Sequence, residues 1–255
     1  MKLPHTPWTS LALTLSAFPL LLTEAEAGNR RFTYSYETTT MAKGAMELET
    51  WVTWKNQIAD DPGLDKFDIR HEFEYGVTDR FQLALYFADW SFEKGPDESG
   101  DADFKDVALE AIYNLTDPNS CPFGTAVYGE VKTGDDEIEF EAKFLLQKNL
   151  GPWVLVYNIG GELVYENDFK DDEAELKQTF GAAYQINPSW SVGVECMHEI
   201  AVPDVDTLGD SGVYLGPNVA WRHDRFSLGV TGLWQLTTLS GEPDFQLRTI
   251  FAIDL

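Results

Sequence analysis

After its leader-like first residues the chain has no apolar run approaching the ~18 residues of a membrane helix. It is also poor in bases, with 18 Lys and Arg against 43 Asp and Glu and a formal charge of −25. That balance excludes the clustered cations by which proteins hold nucleic acid or dock on anionic membrane surfaces. Two cysteines, Cys121 and Cys196, are too few for a disulfide framework in an exported protein. Cys121 reads as a turn residue and Cys196 as mid-strand, so no bridge is expected. His and Cys ligands show no metal spacing, and no glycine loop suits a phosphate. No stretch follows a 3.6-residue period. No cofactor is implied.

What is present begins with a sorting signal over residues 1–27. Met1 and Lys2 make a short positive start, residues 8–22 are mostly apolar, and Ala25-Glu26-Ala27 supplies a small-x-small cleavage site. The apolar run is broken by Ser16 and Pro19, which argues against an anchor. Cleavage after Ala27 leaves 228 residues with 17 bases and 41 acids, a charge of −24.

From residue 46 onward one pattern repeats. Twelve segments alternate apolar and polar residues: 46–56, 66–77, 81–94, 104–116, 124–133, 137–148, 152–167, 174–186, 190–202, 212–222, 226–237 and 245–255. In 66–77, Phe67, Ile69, His71, Phe73, Tyr75 and Val77 alternate with Asp68, Arg70, Glu72 and Glu74. In 137–148, Ile138, Phe140, Ala142, Phe144 and Leu146 alternate with Glu139, Glu141, Lys143 and Gln147. Period-2 alternation gives each strand one greasy and one wet face. The segments suit strands that cross a bilayer at a tilt in about 9–11 residues, and exceed the ~5–6 residues usual in soluble sheets.

The connections alternate as well. Tight turns at 78–80, 149–151, 187–189 and 223–225, with a longer one at 117–123, face looser acidic loops at 57–65, 95–103, 168–173, 203–211 and 238–244; the tight 134–136 falls among the latter. Short turns on one side and long loops on the other are expected of the periplasmic and outer sides of an outer-membrane barrel. Tyr75, Phe81, Tyr113, Trp153, Tyr184, Trp190, Trp221 and Phe226 gather at the short-turn ends, as interfacial girdles do. The expected fold is all-β: a single antiparallel up-and-down transmembrane barrel of about twelve strands over residues 46–255. A two-sheet soluble sandwich is the competing architecture. Residues 28–45 read as a periplasmic or plug segment, in which Phe32, Tyr34 and Tyr36 alternate with Thr33, Ser35 and Glu37. Pro217 interrupts one strand, and Gly216 beside it suggests a bulge.

Phe32-Thr-Tyr-Ser-Tyr-Glu-Thr38, Lys43-Gly44, Glu47-Leu-Glu49 with Trp51, His71-Glu-Phe-Glu-Tyr-Gly76 with Thr78-Asp79, and Leu215-Gly-Pro217 carry a resemblance. The chain resembles the small outer-membrane barrels of Gram-negative bacteria often labelled transporters. This resemblance implies fold and location, since that family has no settled activity. Phe251-Ala-Ile-Asp-Leu255 looks like the signal such barrels present to the barrel-assembly machinery.

The wet faces supply the candidate lumen-lining residues. Carboxylates are Glu47, Glu49, Asp68, Glu72, Glu74, Asp106, Glu110, Glu130, Glu139, Glu141, Glu162, Glu195 and Glu199; cations are Lys55, Lys66, Arg70, Lys132, Lys143, Lys177, Arg222 and Arg248. Such a lumen is either held shut by salt bridges or is a narrow passage for small solutes that prefers cations, because fixed carboxylates concentrate them. Partners on this reading are outer-membrane lipid, lipopolysaccharide and a small solute or ion. An enzyme is not expected, since no catalytic set stands out: two residues beyond His71, His198 and His223 lie Phe73, Ile200 and Arg225, which lacks the His–Ser spacing of an outer-membrane phospholipase. Asp204-Val-Asp206-Thr-Leu-Gly209 begins like a calcium loop but has Leu208 and Leu215 where ligands belong, so no metal site is read there. A non-transporting structural barrel is the alternative function.

Overall fold

The computed structural model describes residues 30–58, 63–95, 100–134, 137–166, 171–203, 207–239 and 241–255. The signal region, the acidic 204–206 run and the turn at 135–136 lie outside them. The described chain is all-β, with strands β1 (Met46–Ile58), β2 (Asp65–Thr78), β3 (Phe81–Lys94), β4 (Ala102–Phe104), β5 (Asp106–Thr116), β6 (Gly124–Gly134), β7 (Glu137–Leu150), β8 (Trp153–Glu166), β9 (Asp171–Asn187), β10 (Trp190–Pro203), β11 (Ser211–His223), β12 (Phe226–Gln235) and β13 (Pro243–Asp254). The three-residue β4 pairs with β3 in the register that β5 continues, so the two are pieces of one strand. β13 pairs antiparallel with β1 from Glu47↔Asp254 to Ile58↔Pro243, which closes a twelve-stranded barrel and leaves no open edge.

The alternation read from the sequence is the alternation of the wall. Leu85, Leu109, Val127, Phe144, Phe180 and Val194 are exposed, whereas Glu49, Glu72, Glu110, Glu130 and Glu195 are buried. This inverts the usual inside-out rule. Around the short-turn rim, aromatics pair across strands: Phe81 with Tyr113, Trp153 with Tyr184, Trp190 with Trp221 and Phe226 with Phe251. A second belt toward the long-loop rim includes the stack Trp54–Phe67–Phe92 and the pairs Trp234–Phe245 and Phe140–Tyr165.

The bulge expected at Gly216-Pro217 is not there. The β11–β12 register is the same on either side, Leu215↔Trp234 and Asn218↔Thr231, with no residue inserted. Pro217 has no N–H to give and the ladder toward β12 lapses, while the β10 side stays paired.

Candidate functional site

Residues 30–45 lie within the barrel. The chain leaves β1 at its short-turn end, where Gly44 N–H donates to Gly76 O at 2.7 Å and Lys43 N–H to Asp79 Oδ1 at 3.0 Å. It then crosses the interior, and its backbone is held by wall side chains rather than by another strand. Met41 N–H donates to Gln82 of β3, Thr38 N–H to Gln147 of β7, and Tyr36 N–H to Asn158 of β8, whose amide donates back to Tyr36 O. Asn114 and Asn218 donate to the carbonyls of Thr38 and Arg31. A segment that is neither helix nor strand makes few internal hydrogen bonds, Arg31 N–H to Glu37 and Ala45 N–H to Ala42 O among them, so its other buried peptide groups need external partners. Amide side chains, which donate and accept at once, supply several of them.

The strongest clamp is Glu195 of β10. Its carboxylate accepts from the N–H groups of Thr33, Tyr34 and Ser35 at 2.8, 2.9 and 2.8 Å, and from the Thr231 hydroxyl at 2.7 Å. Three successive N–H groups turned on one anion form a nest. Glu195 pairs across the sheet with Gly181 and Gly216, so no neighbouring side chain fills the space the segment occupies. A Cβ on Gly181 would meet the Phe32 ring at 2.6 Å. The glycine is there for close packing.

Side-chain contacts complete the seating. Phe32 packs on Val154, Val156 and Ala183, Tyr34 on Met197, Tyr214 and Leu233, and Tyr36 on Tyr128 edge to face at 5.0 Å. Arg248 lies over the Tyr34 ring at 4.1 Å, Lys143 over Tyr128 and Tyr36 at 4.1 and 4.9 Å, and Arg30 over Trp51 at 4.3 Å. Outside the strands, burial pushes the Glu37 carboxyl up, against the pull of the Arg31 guanidinium 2.6 Å away.

Above the segment, on the long-loop side, lies a polar cavity of about 330 Å³ with Tyr34 and Tyr36 in its lining. Its wall carries six carboxylates (Glu130, Glu141, Glu162, Glu175, Glu199 and Glu242) and six cations (Lys55, Arg70, Lys132, Lys143, Lys177 and Arg248). They interlock. Lys132 binds Glu139 and lies 3.9 and 4.0 Å from Glu130 and Glu162, Lys143 binds Glu141 at 2.7 Å, and Lys177 binds Glu175 and Glu199 at 2.9 and 2.8 Å. Asp68 pairs with Lys55, Arg70 with Asp89 and, at 3.8 Å, Asp106, and Arg222 with Asp254 near the short-turn rim. Glu47, Glu49, Glu72, Glu74 and Glu110 are buried in the wall toward the other side of the segment, where Arg30 reaches Glu49 at 2.6 Å and Glu74 at 3.8 Å.

The strand register joins these groups into one row. Following Cα partners round the wall gives Asp254, Glu47, Glu74, Ala84, Glu110, Glu130, Glu141, Glu162 and Glu175. Because strands in a closed barrel are staggered, the row climbs: it starts at the last residue of β13, beside the second residue of β1, and ends four residues from the long-loop end of β9. Eight of its nine positions are carboxylates.

Sequence reasoning selected many charged members of this interior, but not Arg30, Asp89, Glu175, Glu242 and Asp254, nor Gln82, Asn114, Gln147, Asn158, Asn218 and Thr231, which hold the segment. A usable signal was uncharged amides at inward positions toward the short-turn ends. His198 Nε2 lies 2.7 Å from Ser211 Oγ across strands, on the exterior parity. Both cysteines are unbridged.

Several solved structures share this fold. An outer membrane channel (COG4313) of Pseudomonas putida F1 matches with a TM-score of 0.62 at 14% identity over 88% of this chain and 100% of its own. The NanC porin matches at 0.58 and 7% identity over 82% and 100%, and the translocator domain of the autotransporter NalP from Neisseria meningitidis at 0.55 and 8% over 83% and 88%. No functionally curated protein matches the chain. A family model matches residues 24–248, and the chain belongs to that family, the family of unknown function DUF6662.

Proposed function

We propose that the protein is a channel of the bacterial outer membrane for small solutes, held closed by residues 30–45 and cation-preferring when open. The exterior of exposed aliphatic residues between two aromatic belts suits a barrel in lipid and lipopolysaccharide, inserted by the barrel-assembly machinery. The likeness of fold to a channel and a porin is in line with this reading. The carboxylate row carries it: a line of acids climbing from the short-turn rim to within four residues of the long-loop end of β9 offers a cation successive weak sites, which conduction needs. The flanking lysines temper the field without cancelling it, since the interior acids outnumber the interior bases.

The test is a planar-bilayer recording, with a tenfold KCl gradient, of the barrel lacking residues 30–43. A cation-preferring passage gives a reversal potential approaching the potassium limit of about 59 mV for a monovalent ion, reduced when Glu162 and Glu175 are both changed to Gln. A reversal potential of the anion sign removes the cation reading. Absence of any conductance, with or without the segment, makes the barrel a structural one.

A further inference from the structure

Glu49, Glu72 and Glu74 each present a carboxylate oxygen within 4.8 Å of those of the other two, and all three are buried, at 1%, 0% and 6% exposure. Glu49 and Glu72 face each other in the register, as do Glu47 and Glu74. Glu110 joins from across Ala84, the small residue that separates it from Glu74 in the row. Arg30 takes Glu49 Oε2 and lies near Glu74 Oε1, and Trp51 Nε1 donates to the same Glu49 oxygen at 2.7 Å. That leaves a conspicuous gap. Apart from the neighbouring Glu74 carboxyl, nothing hydrogen-bonds either buried oxygen of Glu72, and Oε1 of Glu110 is likewise unpartnered, while its Oε2 takes the Tyr86 hydroxyl at 2.8 Å. An orphaned buried acceptor is costly, more so when charged.

The unsatisfied atoms are all carboxylate oxygens, the ligands of hard cations. A cleft of about 50 Å³, lined by Glu49 and Glu74 together with Thr39 and Gln82, gives access beside the segment.

We propose that Glu49, Glu72 and Glu74, backed by Glu110, bind one hard divalent cation on the barrel wall beside Arg30. The ion supplies the counter-charge that Arg30 alone does not, and it fixes the wall against which residues 30–36 are seated. This site stands apart from the transport reading, because binding is measured without conductance.

Tb³⁺ is the probe, with Trp51 as its antenna through Glu49. For the full barrel folded in detergent, excitation of tryptophan gives saturable Tb³⁺ emission that Ca²⁺ displaces with 1:1 stoichiometry by calorimetry. E72Q, removing a ligand, weakens binding by at least about tenfold, and R30M, removing a competing cation, tightens it. W51F dims the emission while calorimetric binding persists. Heat-modifiable migration verifies that each variant is folded, and E74Q repeats the test should E72Q fail to fold. Emission that does not saturate, or an affinity unchanged in both E72Q and E74Q, overturns the site and assigns ion binding to the acidic surface or neutralisation of the cluster to protons.

Discussion

Replacing Glu195 by alanine is expected to free the N-terminal segment while leaving the barrel intact. The substitution removes the acceptor of three consecutive backbone N–H groups and of Thr231. Each bond to a charged partner contributes about 1.5–3 kcal/mol, offset in part by the desolvation of a carboxylate that the alanine no longer buries. A net loss of about 2–4 kcal/mol from the segment's seating follows, enough to shift its bound population by more than an order of magnitude. Limited trypsin digestion reads it: Arg30 and Arg31 resist cleavage in the native protein and become cleavable in E195A, with no change in heat-modifiable migration. E195Q keeps an acceptor oxygen but loses the charge, and falls between the two. A segment equally protected in E195A would mean that the aromatic contacts alone seat it.

Changing Lys143 to methionine should act on both stability and selectivity. Its ammonium holds Glu141 at 2.7 Å and lies over the Tyr128 and Tyr36 rings, with both side chains of the pair about nine-tenths covered. Methionine keeps the volume but strands Glu141 beside Glu130 and Glu162, its neighbours in the row. Breaking a covered pair in this way costs about 3–5 kcal/mol in a dry interior; water in the cavity brings that to roughly 2–3 kcal/mol, read by urea unfolding in lipid. The added negative charge also moves the reversal potential further toward the cation limit. Unchanged stability and unchanged selectivity together would show that Lys143 is not coupled to the row.

Twelve strands, their order and their faces were legible in the sequence because every other residue meets a different medium, and the alternation of Phe67 to Val77 with Asp68 to Glu74 records that directly. Strand ends moved by only a few residues: the segment read as 174–186 runs from Asp171 to Asn187, and 226–237 stops at Gln235. The Gly216-Pro217 bulge was a fair inference from a missing donor, but an interrupted ladder satisfies the same chemistry without an inserted residue. The site was harder to read. Phe32, Tyr34 and Tyr36 alternate as a strand would, and nothing local says that the N–H groups of Tyr34, Tyr36 and Thr38 go to Glu195, Asn158 and Gln147, more than a hundred residues away. The carboxylate row was equally hidden. Glu110, Glu130, Glu141 and Glu162 are ordinary wet-face residues one by one; only the stagger between strands, a property of closure, lines them up.

On the proposed function, residues 30–43 close a passage which the wall leaves open. Single-channel recording of the intact barrel beside one lacking those residues tests it. With the segment present the barrel should be silent or nearly so, and without it conductance should rise by at least about tenfold, as expected when a plugged lumen becomes an aqueous one. Equal conductance from the two proteins would show that the segment closes nothing.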